Sequence, residues 1–184
     1  AGEASMTING GQFSGGINTI KNDDYGILEI NDGTFTNFTQ AAFLNWNVAT
    51  VNGGTFDCNA ESVILNGYIN DTMDKGQLTI TGGTFETSNE AAAVITRMDV
   101  SGSTSIGTIA ISGGTLKAAS EKIFDLTAKV EDVDYSISIT GGTFSSDVKE
   151  YVKSGYSIMQ NSDGTYKVYY YYTDDTPATT PPTS

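Results

Sequence analysis

Histidine is absent from this 184-residue sequence, and cysteine and arginine occur once each, as Cys58 and Arg97. Without histidine the chain lacks the commonest general base and the zinc-ligand patterns of common spacing. One cysteine cannot form an internal disulfide. Any catalysis would therefore depend on carboxylates, lysines or the single arginine, and we expect the protein to need neither a cofactor nor a metal.

Long apolar runs are also missing, since no stretch of about 18 apolar residues occurs that would span a bilayer. Positive charge is scarce: 9 lysine and arginine residues stand against 22 aspartate and glutamate residues, a formal net charge of -13. Such a surface repels nucleic acid and anionic membranes, so we expect no nucleic-acid partner and no membrane insertion. No leader peptide is recognisable at Ala1, and we expect any secretion signal to be removed or to lie outside this sequence.

What the sequence does contain is a six-fold motif of Gly-Gly-Thr followed by an aromatic residue or leucine, with small departures in the first two copies. The final positions of the copies are 22, 21, 29, 31 and 28 residues apart, and such periods are typical of solenoid proteins. The copies are Gly10-Gly11-Gln12-Phe13, Asp32-Gly33-Thr34-Phe35, Gly53-Gly54-Thr55-Phe56, Gly82-Gly83-Thr84-Phe85, Gly113-Gly114-Thr115-Leu116 and Gly141-Gly142-Thr143-Phe144.

Apolar residues at alternate positions precede each motif, and mostly polar residues stand between them. This period of two with one apolar face predicts a half-buried strand. A second apolar segment follows each of the middle motifs, so every repeat offers at least two short strands joined at a glycine corner. The residues five positions before the aromatic are Ile8, Ile30, Val51, Ile80, Ile111 and Ile139.

These features predict an all-β fold, a right-handed, single-stranded parallel β-helix of about six coils. Glycine allows the sharp bend at each corner, and the aromatic residue after it is predicted to point inward and stack on the next coil. The column that begins with Asn9 and Asn31 is predicted to form a hydrogen-bonded ladder. A β-sandwich is the rival fold, but its turn signals would recur about every 8 to 12 residues without a common core register.

Three parts are predicted along the chain: β-helix coils over residues 1–144, a C-terminal cap over 145–172, and a linker rich in proline and threonine over 173–184. In the cap, residues 145–156 predict a short helix. Asp163-Gly164 lies between two alternating segments and predicts a β-hairpin. The linker indicates a module from a longer chain.

The repeated "ITGGTF" units and the closing "GGTFSSDVKEYVKSGYSIMQNSDGTYKV" resemble the repeat regions of large cell-surface proteins of gut-dwelling, Clostridia-type Gram-positive bacteria. The resemblance covers Ile8 to Val168. It implies an extracellular, β-helical, adhesive module that is a monomeric unit within a larger surface protein. It transfers no catalytic residue to this chain.

Parallel β-helices also include polysaccharide lyases and hydrolases, which need carboxylates around a cleft and, in lyases, calcium and a base. Asp57, Glu86 and Lys117 directly follow three successive motifs and are predicted to be neighbours. The simpler interpretation is an exposed charge ladder of little energetic value. Arg97 would have to act as the base of a lyase. We expect no enzyme, with a calcium-dependent polysaccharide lyase as the less favoured alternative.

Binding is the better prediction, because aromatic residues and long loops lie at related positions in the repeats. Extra residues in three repeats, around 67–76, 97–107 and 127–135, are predicted to form one wall of a groove. Exposed aromatic rings stack on sugars or anchor protein partners. The candidate binding residues are Trp46, Tyr25, Tyr68, Tyr135, Asp57 and Glu86. Trp46, between Asn45 and Asn47, is predicted to be the most exposed.

The sequence thus predicts a non-catalytic binding module of a bacterial surface adhesin. Its partner would be a host protein, such as an immunoglobulin or a mucin, or a glycan, and it would bind on one loop-lined side. The alternative is a passive stalk that only projects other domains.

Overall fold

The computed structural model describes residues 3–23, 25–68, 76–99, 108–126 and 136–171. Within them the chain is all-β and contains no α-helix. No helix there is long and apolar enough to cross a membrane. The strands are β1 Ala4–Ser14, β2 Asn18–Asn22, β3 Gly26–Asn37, β4 Ala41–Asn45, β5 Val48–Val51, β6 Thr55–Cys58, β7 Ser62–Tyr68, β8 Gln77–Ile80, β9 Thr84–Thr87, β10 Ala93–Asp99, β11 Thr108–Ile111, β12 Thr115–Ala118, β13 Phe124–Asp125, β14 Ser136–Ile139, β15 Gly142–Phe144, β16 Tyr156–Gln160 and β17 Tyr166–Tyr170.

Two sheets contain these strands. The 12-stranded sheet has the order β14-β11-β8-β5-β3-β6-β9-β12-β15-β17-β16, with β1 also paired to β3, and the 5-stranded sheet has the order β13-β10-β7-β4-β2. All pairings between successive repeats are parallel, so that Val51 lies beside Ile80, and Phe56 beside Phe85. The predicted parallel stacking of the repeats is confirmed.

The glycine corner divides the large sheet into two columns of strands. β3 passes through its corner as one strand, whereas each later repeat has one strand before the glycines and another after them, as in β5 and β6. After this second strand the chain turns into the small sheet. Each complete repeat therefore supplies three strands, and the core lies between the three resulting columns.

The residues after the corners form one continuous column in the core, as predicted. Phe13 and Phe35 stack with ring centroids 5.0 Å apart, Phe35 and Phe56 at 4.5 Å, and Phe56 and Phe85 at 4.7 Å. Leu116 and then Phe144 continue the column in register. Since parallel strands are about 4.8 Å apart, identical rings at identical positions stack face to face.

The predicted outer ladder of amides is also confirmed. Asn31 donates through Nδ2 to Oδ1 of Asn9 at 2.8 Å, and Asn52 donates in the same way to Asn31 at 2.8 Å. The Thr81 hydroxyl donates to Oδ1 of Asn52 at 2.7 Å. Equal spacing along the stack lets each side chain act as the acceptor for the next repeat.

A second amide ladder, not foreseen from the sequence, is buried along the small sheet. Asn22 donates to Oδ1 of Asn45 at 2.9 Å, and Asn45 donates to Oδ1 of Asn66 at 2.8 Å. In the next repeat, Arg97 takes the position in register with Asn66. Arg97 is also buried, with 6% of its surface exposed. Buried amides have to be hydrogen-bonded, and this ladder holds the ends of β2, β4 and β7 together.

The C-terminal hairpin forms as Asp163-Gly164 predicts. β16 and β17 pair antiparallel, and β17 pairs antiparallel with β15, the last strand of its column. Val168 is buried in the core, while Tyr169, Tyr170 and Tyr171 are exposed. The hairpin therefore extends the column that ends at β15 and buries Val168 against the core, while three tyrosines at its end stay exposed.

The predicted helix at residues 145–156 is wrong, because the segment forms only a 3₁₀ turn at Lys149–Tyr151. Asp147 accepts the backbone N–H of Lys149 at 2.9 Å, which starts this turn. The chain then extends, as Val152 forms a parallel bridge with Ile139 and the Lys153 N–H bonds to the Ile139 carbonyl at 3.0 Å. Pairing with the open edge of β14 outweighs the weak helical preference of so short a segment.

Cys58 is buried between neighbouring repeats, and burial raises the pKa of its thiol to about 11. Backbone hydrogen bonds from Asn37 and Ala42 oppose this shift only in part. The thiolate is the reactive form of cysteine. We expect the folded protein to resist a thiol reagent at pH 8, and the protein unfolded in guanidinium to react fully, with absorbance of the released chromophore as the measurement.

The same thiol makes stability depend on pH. The unfolded chain loses the thiol proton near its ordinary pKa of 9.0, whereas the folded chain keeps it up to about 11. Because the unfolded state binds fewer protons in this window, the free energy of unfolding should decrease from pH 9 to pH 11. Cys58→Ala should show a smaller decrease, and an equal decrease in both proteins would contradict the assignment.

Candidate binding surface

The charged column follows the motif on the outer face of the large sheet. Asp57 is in register with Glu86, and Glu86 with Lys117, so the predicted neighbours do lie side by side. All three side chains are exposed. The described residues contain no group of three or more acidic or cysteine side chains placed to hold a metal ion. The column is an exposed charged strip along the strand face.

Trp46 lies on the outer face of the small sheet, just after β4. Its backbone N–H donates to the Asn22 carbonyl at 2.9 Å. Its ring packs against Ala41, Leu44 and Leu65, a small apolar cluster separate from the main core. The ring is therefore half-buried, more enclosed than the sequence predicts.

The flanking asparagines explain this difference. Asn45 and Asn47 are both buried. Asn45 belongs to the amide ladder along the small sheet, and Asn47 donates from its Nδ2 to the Gly26 carbonyl at 2.8 Å. They point into the fold, so the residue between them turns outward across Leu44. Polar neighbours in this sequence indicate internal hydrogen bonding and not a solvated loop.

A depression of about 410 Å³ opens beside Trp46. β2, the turn before it and β4 supply its lining: Ile17, Asn18, Lys21, Gln40, Leu44 and Trp46. Ile17 forms an apolar rim, with 68% of its surface exposed. The Asn18 amide donates to Oε1 of Gln40 at 2.9 Å, which joins two of the lining side chains.

Two polar atoms of this depression are buried without a hydrogen-bond partner in the described part of the chain: Nε1 of Trp46 and Oδ1 of Asn18. One is a donor and the other an acceptor. A buried polar atom left unpaired costs about 1–3 kcal/mol, so such atoms are rare and call for an explanation. Both atoms belong to residues that line the depression.

Lys21 covers one face of the Trp46 ring. Its Nζ lies 4.0 Å from the ring centroid and 2.9 Å from a carboxylate oxygen of Asp23. Both members of the ion pair are largely solvent-exposed. An exposed cation–π contact is worth about 0.5–1 kcal/mol and an exposed ion pair about as little. A ligand can therefore move the lysine from the ring at small cost.

Of the other predicted aromatic residues, Tyr25 is the one whose side chain belongs to the described part of the chain. Tyr25 is exposed and adopts a left-handed backbone conformation, φ 61°, in the turn before β3, but it is not among the lining residues. Tyr68 ends β7, and its backbone pairs with Asp99. Tyr135 lies outside the described residues, as do most of the three long segments predicted to form a groove wall.

The sequence analysis missed Asn18, Lys21, Gln40 and Ile17. A usable signal was present in β4, where five consecutive residues are buried. An unbroken apolar run such as Ala41-Ala42-Phe43-Leu44 indicates a strand covered on both faces, which requires a side chain on the outer face to cover it.

Comparison of the chain with protein-family models, with curated proteins and with solved structures gave no match.

Proposed function

We propose that the chain is a right-handed parallel β-helix and serves as a non-catalytic, glycan-binding module of a bacterial surface adhesin. Three columns of parallel strands that recur in the same order in each repeat support the fold, since crossovers between parallel strands are almost always right-handed. Repeated Gly-Gly-Thr-Phe units and the resemblance of the closing segment to bacterial surface proteins support the extracellular location.

The observation that carries the binding role is the unpaired donor and acceptor at the Trp46 depression. An indole ring supplies an apolar floor, and the protein leaves one donor, Nε1 of Trp46, and one acceptor, Oδ1 of Asn18, unpaired on residues of the lining. At about 410 Å³ the depression suits one or two sugar residues. A glycan therefore fits this site better than a flat protein surface does.

A lyase function receives less support. Asp57 and Glu86 lie on an exposed strip, and the one arginine, Arg97, is buried and not on that strip. Neither group lines the depression beside Trp46. The remaining alternative is a passive stalk. For a stalk, substitutions that leave the fold intact should have no effect on function.

Asn18→Leu separates the binding module from the stalk. The substitution keeps the size of the side chain and removes an unpaired buried acceptor, but it also removes the bond from Nδ2 to Oε1 of Gln40. These effects oppose each other, so stability should change by less than about 1 kcal/mol. If a sugar hydroxyl donates to Oδ1, affinity for the glycan should drop about tenfold or more, equivalent to about 1.4 kcal/mol. The glycan is first found on an array of neutral and acidic glycans, and affinity is then measured by titration calorimetry.

Trp46→Ala should abolish binding through loss of the apolar floor, and Tyr169→Ala serves as the control because Tyr169 is an exposed aromatic residue on the C-terminal hairpin. Absence of any glycan ligand on the array, or full affinity in Asn18→Leu, would leave the stalk as the better description.

A further inference from the structure

A second concave surface lies at the C-terminal end of the stack, far along the chain from Trp46. This cap groove has a volume of about 480 Å³. One wall is the segment around the 3₁₀ turn and the other is β16. Its lining includes two basic residues and one acidic residue, together with residues of β16: Lys149, Lys153, Asp147, Ser157, Ile158 and Gln160.

The groove runs beside a free strand edge. β16 is the last strand of the large sheet, and β17 is its one partner in the described part of the chain. The Tyr171 N–H bonds to the Gly155 carbonyl at 3.1 Å, and the Asn161 N–H to the Thr165 carbonyl at 2.7 Å. Because hydrogen-bonded pairs alternate in an antiparallel ladder, Ser157 and Met159 bond to β17.

Ile158 and Gln160 therefore direct their backbone N–H and C=O groups away from β17. Such a row of unused groups at a sheet edge is a template for another extended chain. Strand addition to an exposed edge is a common way for a domain to hold a peptide, since the main chain supplies affinity and alternate side chains supply specificity.

Charge distinguishes this end from the rest of the protein. Residues 1–144 contain 6 basic and 17 acidic side chains, a net charge of -11, whereas residues 145–171 contain three of each, a net charge of zero. The cap as a whole therefore lacks the net negative charge of the preceding residues, and an acidic partner meets less repulsion there.

The lysines of the groove are available to a partner. The Asp147 carboxylate accepts a hydrogen bond from the backbone N–H of Lys149 at 2.9 Å, and the Glu150 carboxylate accepts one from the Tyr151 hydroxyl. Burial and the Glu150 contact raise the pKa of Tyr151 to about 12. The one ion pair recorded among the described side chains joins Lys21 and Asp23, so Lys149 and Lys153 have no acidic partner within 4.0 Å there.

We propose that the cap groove binds an extended acidic peptide, which adds as a strand to β16 and places its carboxylates against Lys149 and Lys153. The free edge specifies an extended main chain, and the two lysines on the opposite wall select the acidic side chains. This site is independent of the Trp46 depression, so either proposal can fail without the other.

The test measures fluorescence anisotropy of a labelled nine-residue peptide of alternating glutamate and valine, titrated with the full chain. The same peptide with glutamine in place of glutamate is the ligand control. We expect the acidic peptide to bind at least about tenfold more tightly, and added salt to weaken it, because exposed charge pairs are screened. Equal affinity for both peptides would overturn the proposal.

Two variants divide the charge contribution from the strand contribution. The double variant Lys149→Gln with Lys153→Gln should reduce affinity about tenfold, whereas the matched pair Lys117→Gln with Lys122→Gln, outside the groove, should not.

Gln160→Pro removes an edge N–H that β17 does not use, and proline is tolerated at sheet edges. It should keep the circular dichroism spectrum and weaken binding about fivefold or more. Unchanged affinity in Gln160→Pro would overturn strand addition.

A further control concerns the acidic residues Asp174 and Asp175, which follow the hairpin in the sequence. Asp174→Asn with Asp175→Asn should not change the affinity for the acidic peptide. A marked increase would show that these residues compete for the groove in the full chain, and this result would overturn the assignment to an external peptide.

Discussion

Replacing Phe56 by alanine should lower the free energy of unfolding by about 4 kcal/mol. Phe56 is completely buried, and its ring is stacked between Phe35 at 4.5 Å and Phe85 at 4.7 Å. The substitution leaves a cavity in the middle of the aromatic column and also removes two ring contacts. Because the parallel strands on both sides hold their spacing, the neighbouring rings cannot close the gap.

Two variants serve as comparisons, and urea denaturation followed by circular dichroism is the measurement. Phe56→Leu should cost only about 1 kcal/mol, because leucine preserves most of the volume. The protein itself uses leucine at this position in the fifth repeat, where Leu116 is fully buried. Phe13→Ala should cost less than Phe56→Ala, because Phe13 is half-buried and stacks on one side only. Equal costs at Phe13 and Phe56 would contradict a continuous column as the source of stability.

The parallel stacking and the aromatic column were predictable because both depend on a pattern that the sequence repeats. Six motifs with the same apolar positions before them leave one register in which every Phe meets the next. The outer ladder from Asn9 to Thr81 followed from the same register. Repetition makes each local choice agree with the global fold, which is the condition under which sequence reasoning works best.

The cap and the depression were less predictable, because they depend on contacts that occur once. Residues 145–156 carry a helical pattern, but the open edge of β14 draws Val152 into an extended conformation. Trp46 was identified as a candidate, yet its partners Asn18 and Lys21 come from the preceding repeat, in β2. Their approach depends on the direction of the chain after Asn45, which the buried amides determine.

In the third to sixth motifs the two glycines of the corner are required for different reasons, and only one of these was foreseen. Gly83 has a left-handed backbone, φ 95°, which is the bend that the sequence predicts. Gly82 does not have a positive φ, but a Cβ atom there would collide with the carbonyl oxygen of Asn52 in the preceding repeat. The first glycine therefore allows two backbones to approach closely, and the second allows the chain to turn.

Gly82→Ala should consequently destabilise the protein by about 3 kcal/mol, since overpacking against a rigid backbone forces neighbouring strands to shift. The Asn52 carbonyl cannot move aside as the end of a flexible side chain would, because Asn52 is held in the outer ladder on both sides. The measurement is again the denaturant midpoint, together with the slope of the transition, which reports any partial separation of repeats.

Gly15→Ala is the matched control. Gly15 has a positive φ of 86°, close to that of Gly83, but a Cβ atom there meets nothing within 4 Å. Its replacement should therefore cost only the backbone strain of a left-handed alanine, about 1 kcal/mol. If Gly82→Ala proved no more destabilising than Gly15→Ala, the close approach between repeats would not explain the first glycine of the corner.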